Sequence, residues 1–409
     1  MITDLRTKAE SLAREGKFAD ALQIMSNIVE QQPQSLKRDL ELCGYYAWNL
    51  SKFNKALSYF ERIYKEAGAS PVLLKNMAAC YAKLNRYDQT IDVCNKLLQL
   101  GDATFRTYDA MTYAYIGKGE FKAAISYGDQ AVTALAASIP YQPKKDLPPR
   151  KPFNPEKKIH NIISFSLWGD KKSYLRGAVQ NAILAHCIYP SWQCRFYIDE
   201  SVPEDVQKLL IHLQAQVVKM PSPKVPFEGL GWRFQVWDDP DVDFCIIRDC
   251  DSVISVFEAM AVHEWLASES WFHVMRCWYS HTDLILAGLW GGATGVLKNV
   301  YPAYIKNCAR YTTPTVDQEF LRSFAWPIVM HHALIHDRFH RLANTKPFPY
   351  SQFLTGKWHV GINEHAFNYK RQDFILKEYF NRCPSLIIPP VLKVSASLNP
   401  VKNNIPSMT

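Results

Sequence analysis

The sequence predicts two domains, an all-α array of helical repeats followed by an α/β domain. Residues 1–140 repeat with a period near 34, residues 141–158 are rich in proline and basic side chains, and residues 159–383 alternate strand-like and helical patterns. The length of 409 residues also exceeds what one hydrophobic core usually supports. We expect residues 384–409 to form a C-terminal tail without chemistry of its own.

In the first domain, aromatic and small residues recur in register. An aromatic residue followed three positions later by a small one occurs at intervals of 35, 34 and 34 residues, as Phe18 with Ala21, Phe53 with Ala56, Tyr87 with Thr90, and Phe121 with Ala124. A small residue near the start of a second helix lets two antiparallel helices approach closely. Pro33 and Pro71 fall between repeats, where proline can end a helix pair.

This pattern resembles tetratricopeptide repeats over about four units, with Thr90 in place of the usual alanine in the third. The resemblance implies stacked helix pairs whose concave surface receives an extended peptide or a partner protein. The same surface could act as an intramolecular brace or a dimerisation surface, because repeats specify a scaffold and not its cargo.

The stretch between the domains combines prolines with a local excess of positive charge. Residues 141–158 carry six basic and two acidic side chains, which is half of the formal net charge of +8. We predict an interdomain linker, which could contact phosphate or an acidic partner or be solvated. Because the two domains are nearly balanced in charge, they lack the broad basic face of nucleic-acid-binding proteins, so we do not expect nucleic acid as a partner.

Features of targeting are absent from the sequence pattern. The first residues lack the apolar segment of a secretory signal, and no stretch approaches the ~20 apolar residues that span a bilayer. The ten cysteines show no paired CxxC spacing. We therefore expect a cytoplasmic protein without a membrane span, with most cysteines reduced and in the core.

The second domain begins with an apolar run over 159–167 that leads into a glycine turn. Helical patterns over 174–187 and 203–213 then alternate with strand candidates over 194–198 and 216–220. This alternation predicts a largely parallel sheet, whose ligands bind beyond the carboxyl ends of the strands.

An acidic pair follows a further predicted strand, 243–247. Asp249 and Asp251 lie two residues apart, so in extended chain their side chains project to the same side and can address one cation. Mg²⁺ and Mn²⁺ bind carboxylate oxygens and keep positions for diphosphate oxygens. Such a cation would neutralise the charge on a nucleoside diphosphate leaving group. Alone, an Asp-x-Asp pair is also frequent in turns and calcium loops.

Several motifs in one order resemble a bacterial-type family of GT-A glycosyltransferases over about residues 159–365. The motifs lie at 163–169, 188–192, 232–234, 248–252, 258, 264–265, 272–276, 288–292 and 317–321. The resemblance implies a GT-A (Rossmann-like) fold and a metal-dependent enzyme that uses a nucleotide sugar such as a UDP-sugar.

The resemblance also implies a set of donor-binding residues. Those at the end of the first strand would line the nucleobase and ribose pocket, and they are Ser166, Trp168 and Gly169 with Tyr174 nearby. Arg233 and Arg248 could meet diphosphate or sugar oxygens, together with Asp249, although Arg248 could instead pair with a nearby carboxylate.

A glycine-rich stretch, 288–292, would form the wall against which the donor sugar lies. Gly291 and Gly292 permit close approach, and Trp290 would supply a flat stacking face. The other interpretation is a buried tryptophan in a glycine-rich turn.

The resemblance further implies Asp317 and Glu319 as the catalytic residues. If the enzyme inverts configuration, either could take the acceptor proton as a general base. If it retains configuration, Asp317 would instead hold sugar hydroxyls.

The resemblance implies a later histidine as third metal ligand, and His336, followed by Asp337, occupies the matching place. His359 is the other candidate. His332, His336 and His340 are spaced four apart, which could alternatively indicate a zinc site on one helix face, but structural zinc normally has four ligands.

The leading hypothesis is a glycosyltransferase whose repeats present a protein or peptide acceptor. A glycan, lipid-linked, small-molecule or nucleic-acid acceptor is an alternative. So is a catalytically inactive adaptor whose repeats carry the function, against which the intact Asp249 and Asp251 argue.

Overall fold

The computed structural model describes residues 2–32, 37–225, 227–308, 315–340, 342, 345–354, 356–383 and 389–392. The chain divides into two compact units. Unit 1 comprises Met1–Pro140, Trp278–Leu284 and Phe339–Ala343, and unit 2 comprises Tyr141–Cys277, Ile285–Arg338 and Asn344–Thr409. The predicted linker, 141–158, is part of unit 2. Most of the predicted tail, 384–388 and 393–409, lies outside the described residues.

The described part of unit 1 contains eight helices that form antiparallel pairs. They are α1 (Ile2–Arg14), α2 (Phe18–Gln31), α3 (Lys37–Asn49), α4 (Phe53–Ala67), α5 (Pro71–Lys83), α6 (Tyr87–Gln99), α7 (Phe105–Lys118) and α8 (Phe121–Ser138). The second helix of each pair begins at the predicted aromatic residue, and the small residue three positions later is fully buried in all four pairs. The tetratricopeptide-like repeat architecture predicted from the spacing is confirmed.

The predicted boundary at Pro71 is also confirmed. Pro71 is the first residue of α5, where its missing N–H has no helical partner to lose, and the Ser70 hydroxyl accepts from the Leu73 N–H at 3.4 Å as an N-cap. Pro33 lies outside the described residues.

Two segments distant in sequence complete unit 1. The ring of Tyr279 stacks on Phe121, at 4.8 Å between centroids, and on Phe339, at 3.9 Å. His340 is fully buried, with its Nε2 2.8 Å from the carbonyl of Tyr279, and its ring lies where a Cβ on Gly128 of α8 would be. The last helix pair is therefore covered by chain that the repeat period does not reveal.

Unit 2 is built on one eight-stranded sheet of order β3-β2-β1-β4-β6-β5-β7-β8. The strands are β1 (Asn161–Leu167), β2 (Gln193–Ile198), β3 (Gln216–Lys219), β4 (Phe244–Arg248), β5 (Phe272–Arg276), β6 (Leu289–Ala293), β7 (Ala333–Asp337) and β8 (Thr345–Pro347). Among these described strands, only β6 runs antiparallel to its neighbours. The predicted α/β alternation thus gives a mixed, largely parallel sheet.

The helices of unit 2 follow the strands. They are α9 (Lys172–Ile188), α10 (Glu204–His212), α11 (Val256–Ala267), α12 (Val300–Cys308), α13 (Val316–Phe324), α14 (Trp326–His332) and α15 (Glu364–Arg382). Every residue of β1, β4, β5 and β6 is buried, as expected for central strands covered on both faces. These buried strands form the centre on which the candidate site is built.

The cysteines are all free thiols, and eight of the ten are buried. Among the described residues, no helix combines the length and the apolar character needed to cross a membrane.

Candidate functional site

The candidate site lies where the order of the strands changes direction. From β1 the chain moves outward to β2 and β3, and then returns to place β4 on the other side of β1. In such doubly wound sheets, the connections after the two central strands diverge and leave a crevice at their carboxyl ends. The turn 168–171 follows β1 and the acidic segment 249–252 follows β4, so both flank this crevice.

Arg233 joins two of the predicted carboxylates. It lies in a 3-10 helical segment, Glu228–Asp238, and is 3% exposed. Its Nη1 donates to Asp249 Oδ1 and, at 3.1 Å, to the carbonyl of Arg248, while its Nη2 donates to Asp317 Oδ2 at 2.9 Å. The buried Nε has no hydrogen-bond partner among the described residues. The structure therefore brings Arg233, Asp249 and Asp317 together.

The charges of this trio depend on each other. Burial alone would lower the pKa of Arg233, but Asp249 and Asp317 raise it above its ordinary value, so the guanidinium stays charged. Burial raises the pKa of Asp317 to about 6, against the opposing effect of Arg233. Asp317 is thus a desolvated carboxylate held by one cation, whereas the Asp249 side chain is 45% exposed and can receive a further ligand.

Asp251 is held from a distant loop. Its Oδ2 accepts from Asn363 Nδ2 at 2.8 Å, and its carbonyl accepts from the N–H of Glu364 at 3.2 Å. Burial, and next the charge of Asp249, raise the pKa of Asp251 to about 6. Asn363 is the N-cap of α15, which a sequence can suggest, but no local signal links it to Asp251.

Two side chains after β1 complete the polar cluster. Burial, and next the charges of Asp251 and Asp249, raise the pKa of Tyr174 to about 12. The ammonium of Lys171 lies 4.7 Å from the centre of the Tyr174 ring and lowers the pKa of Asp251. Lys171 is an exposed cation at the rim, and the sequence analysis did not single it out.

The turn after β1 offers one exposed aromatic ring. Trp168 is 39% exposed and packs edge-on against Trp232 at 5.9 Å. Ser166 is engaged within the protein, since its hydroxyl accepts from the N–H of Arg233 at 2.9 Å and donates to a carbonyl at 3.4 Å. Gly169 adopts φ +71°, and its N–H donates to Ser201 Oγ at 2.6 Å. Ser166 and Gly169 therefore shape the turn, and Trp168 is its open face.

Two glycines let the acidic segment pack closely. A Cβ on Gly177 of α9 would overlap the carbonyl of Cys250, and one on Gly288 would overlap Oδ2 of Asp249. The helix and the chain before β6 can approach the acidic segment only because these side chains are absent.

Arg248 does not face the crevice, contrary to its predicted role with the diphosphate. It is fully buried and donates at 2.9 to 3.0 Å to the Gly288 carbonyl, Ser252 Oγ and Glu258 Oε2. The other interpretation, that Arg248 pairs with a nearby carboxylate, is correct. Arg248 fixes the acidic segment from beneath.

The predicted sugar wall is also inside the protein. Trp290, Gly291 and Gly292 lie in β6 and are buried, and the Trp290 ring stacks on Trp237 at 4.8 Å. A Cβ on Gly291 would overlap the backbone of β4, and one on Gly292 would meet the Trp237 ring at 2.7 Å. These three residues serve packing of the sheet and present no face to a ligand.

His336 is not brought to the acidic pair. It lies on β7, and β6 and β5 separate β7 from β4. Its Nδ1 is 2.8 Å from His273 Nε2, and its Nε2 is 3.1 Å from Glu264, so both ring nitrogens have partners. The proposed third ligand is therefore wrong, because the strand order places it elsewhere.

The other candidate ligand, His359, has its Nδ1 2.9 Å from the carbonyl of Val360, and Asn363, four residues later, joins the same loop to Asp251. Metal binding by His359 stays a prediction. His332 ends α14, His336 lies in β7 and His340 belongs to unit 1, so the three do not share a helix face. Within the described residues, no group of three or more His, Cys, Asp or Glu side chains is arranged to hold a metal ion.

Glu319 is not part of the cluster. It lies two residues after Asp317 in α13, and residues two apart on a helix point about 200° from each other. Since Asp317 faces Arg233, Glu319 faces away.

Neither a protein-family model nor a curated protein matches the chain. Among solved structures, it is similar to MamA, residue 41 to the end, from Desulfovibrio magneticus RS-1, with 19% identity over 32% of this chain and 75% of that one, and a TM-score of 0.31. It is also similar to TTC0263, a thermophilic TPR protein of Thermus thermophilus, with 15% identity over 33% and 74% of the chains and a TM-score of 0.27. These identities and TM-scores are too low to establish a common fold. The repeat architecture is established by the helix pairs of this chain.

Proposed function

We propose that unit 2 is a GT-A glycosyltransferase domain that moves a sugar from a nucleoside diphosphate to a nucleophilic acceptor, with Mn²⁺ or Mg²⁺. The observation that carries this proposal is the cluster at the switch point of the sheet. There the carboxylates of Asp249 and Asp251 flank the same crevice as the exposed Trp168 and the charged Arg233. Crevices of this type bind nucleotides in doubly wound sheets.

The donor set suits a hard cation. Asp249 is open to solvent, and the mutual repulsion of Asp249 and Asp251 contributes to the raised pKa of Asp251, a cost that a cation would remove. Mg²⁺ is commonly held by one or two carboxylates plus substrate phosphates, which fits a site with two carboxylates and no third protein ligand among the described residues. When bound, the ion neutralises charge on the departing diphosphate.

The other side chains have separable roles in this proposal. Trp168 stacks on the nucleobase, Lys171 faces phosphate oxygens, Arg233 holds Asp249 and Asp317 in place, and Asp317 lies nearest the reacting sugar. In this role Asp317 accepts a hydrogen bond from a sugar hydroxyl or receives a proton from an acceptor, and burial, which raises its pKa to about 6, favours the second.

Donor hydrolysis tests the proposal. Purified protein is incubated with UDP-, GDP- and dTDP-sugars, with and without Mn²⁺, and released nucleotide is measured. We expect release with one donor class only when Mn²⁺ is present, and a loss of at least tenfold in Asp251→Asn. The matched control is Asp241→Asn, an exposed aspartate before the amino end of β4. Release that is equal in Asp251→Asn and the wild type would contradict the proposal, as would the absence of release or binding with every donor.

The repeats give the second candidate, a protein-interaction scaffold in which unit 2 has no activity. The observation that favours it is a cavity of about 600 Å³ in unit 1, lined by side chains of α3, α5 and α7. If Asp251→Asn retains partner binding and no donor is hydrolysed or bound by the wild type, the scaffold is the better conclusion.

A further inference from the structure

We propose that the face of unit 1 formed by α3, α5 and α7 binds an extended peptide that presents an apolar side chain next to a carboxylate. The inference deepens the proposed function, since it specifies the peptide that the repeats would present to unit 2. It stands on unit 1 alone, and its test requires no sugar transfer.

An aromatic slot lies at the centre of this face. Tyr45, Ala79 and Tyr113 are 34 residues apart, so they occupy the same position in α3, α5 and α7. The two tyrosines remain 46% and 43% exposed, although aromatic rings of this size are usually covered. We call the space between them the central slot.

The central slot exists because α5 has small side chains where its neighbours have rings. Ala78, Ala79 and Ala82 line the cavity of about 600 Å³, with Trp48 at its side. A cavity of this size, bounded by aromatic rings and methyl groups, favours a branched or aromatic side chain of a ligand.

The charge beside the slot selects a carboxylate. Lys83 and Arg106 line the cavity, are exposed, and have no ion-pair partner among the described residues. The other charges are engaged: Lys75 pairs with Asp102 at 2.6 Å, and Asp109 accepts from Thr282 at 2.6 Å. The charges of the cavity that are not paired within the protein are therefore mainly positive. Glu41 opposes them only weakly, because it is exposed and its Oε1 lies 3.7 Å from Lys37 Nζ.

Asn76 supports a main-chain ligand. It lies on α5 beside the slot, is exposed, and its amide has one acceptor and two donors for a peptide group. The α7 end of the cavity is bordered by Ser280 of the segment Trp278–Leu284, which belongs to the same unit. The peptide therefore approaches from the α3 side and ends or turns at that segment.

An array of acetylated octapeptides, with systematically varied charge and apolar content, tests the proposal on the full-length protein. We expect the bound peptides to be enriched in sequences with an aliphatic or aromatic residue within two positions of Asp or Glu. The best of them is then labelled with fluorescein, and its dissociation constant is measured by anisotropy.

Two variants separate the slot from the cations. Ala79→Phe should weaken binding at least tenfold by filling the slot, and its control is Ala67→Phe at an exposed position of α4. The double variant Lys83→Glu and Arg106→Glu should weaken binding by a similar factor and reduce its dependence on salt. Lys122→Glu, on the exposed side of α8, is the charge-matched control. Circular dichroism verifies that each variant is folded.

Several results overturn the proposal. They are an array on which nothing binds, a bound set without enrichment of acidic and apolar residues, and an affinity unchanged in Ala79→Phe or in the double variant. A failure of donor hydrolysis together with normal peptide binding would instead reject only the transferase function.

Discussion

At the scale of single residues, the buried Arg248 explains why an acidic segment can stay ordered at the end of β4. It binds Ser252 within that segment, the carbonyl of Gly288, and Glu258 on α11. All three contacts lie away from solvent, so they do not depend on salt in the way that surface pairs do. Arg248, predicted as a ligand for phosphate, instead supports the acidic segment from within the protein.

Replacing Arg248 with Met should destabilise the protein by about 3 to 5 kcal/mol, because it leaves the carboxylate of Glu258 buried and unpaired. The double variant Arg248→Met and Glu258→Leu should recover most of this loss, since no uncompensated charge then remains. Urea denaturation followed by tryptophan fluorescence measures both. If the two substitutions lower the free energy of unfolding additively, the ion pair of Arg248 and Glu258 is not the source of the destabilisation.

Gly288 makes a second prediction at this scale. A Cβ at this position overlaps Asp249 Oδ2, so Gly288→Ala should displace the carboxylate. We expect Mn²⁺-dependent binding of the donor to weaken at least tenfold, as seen by thermal shift with nucleotide sugar, while the unfolding temperature of the free protein changes little. Ala287→Ser, one residue earlier, is the control. Unchanged donor binding would mean that Asp249 does not need its observed position.

At the scale of elements, β5 and β7 are joined by a buried pair of histidines, His273 and His336. His336, the predicted metal ligand, therefore bonds to a neighbouring strand. Burial, and next His336, lower the pKa of His273 well below its ordinary value, and burial lowers the pKa of His336 although Glu264 opposes it. With both rings neutral, one pattern satisfies every contact, in which His273 Nε2–H donates to His336 Nδ1 and His336 Nε2–H donates to Glu264.

This pair predicts how stability changes with pH. Unfolded histidines take up protons as the pH falls through about 6.5, whereas the folded pair resists them, so the contribution is complete above about pH 6.5 and is lost as the pH falls below it. Each histidine can add up to about 1.4 kcal/mol per pH unit to this loss. Urea denaturation of wild type and His336→Gln between pH 7.5 and 5.0 measures the difference. The variant should lose less than the wild type, and the exposed His212→Gln should lose as much. Parallel curves for all three proteins would contradict the assignment.

The elements also show which parts of the fold a sequence can predict. Local spacing predicts the aromatic starts of α2, α4, α6 and α8 and the strand before Asp249, and the structure confirms them. The role of Trp290 depends on Trp237 lying opposite, and that of His336 on two strands being inserted between β4 and β7. Asn363 reaches Asp251 from 112 residues away. Such pairings are set by long-range packing, which no local pattern encodes.

At the scale of the whole molecule, each of the two units is formed by three separate segments of the chain. The repeats end near residue 140, yet Trp278–Leu284 and Phe339–Ala343 also belong to unit 1. A repeat array needs its terminal helices covered, because each pair buries its apolar face against the next. In this protein the aromatic residues Tyr279 and Phe339 take part in covering the last pair.

The last pair of repeats should therefore lose stability when these segments no longer cover it. In Tyr279→Ala the ring that stacks on Phe121 and Phe339 is removed, whereas the backbone carbonyl that pairs with His340 Nε2 remains. Truncating a packed aromatic ring costs up to about 3 to 5 kcal/mol, so α7 and α8 should exchange their amide hydrogens at least tenfold faster, while α1 to α4 change little because repeats couple mainly to their neighbours. Hydrogen exchange with mass spectrometry on the full-length protein measures this, with the exposed Tyr141→Ala as the control. Equal protection of α7 and α8 in the variant and the wild type would show that the repeats need no such cover.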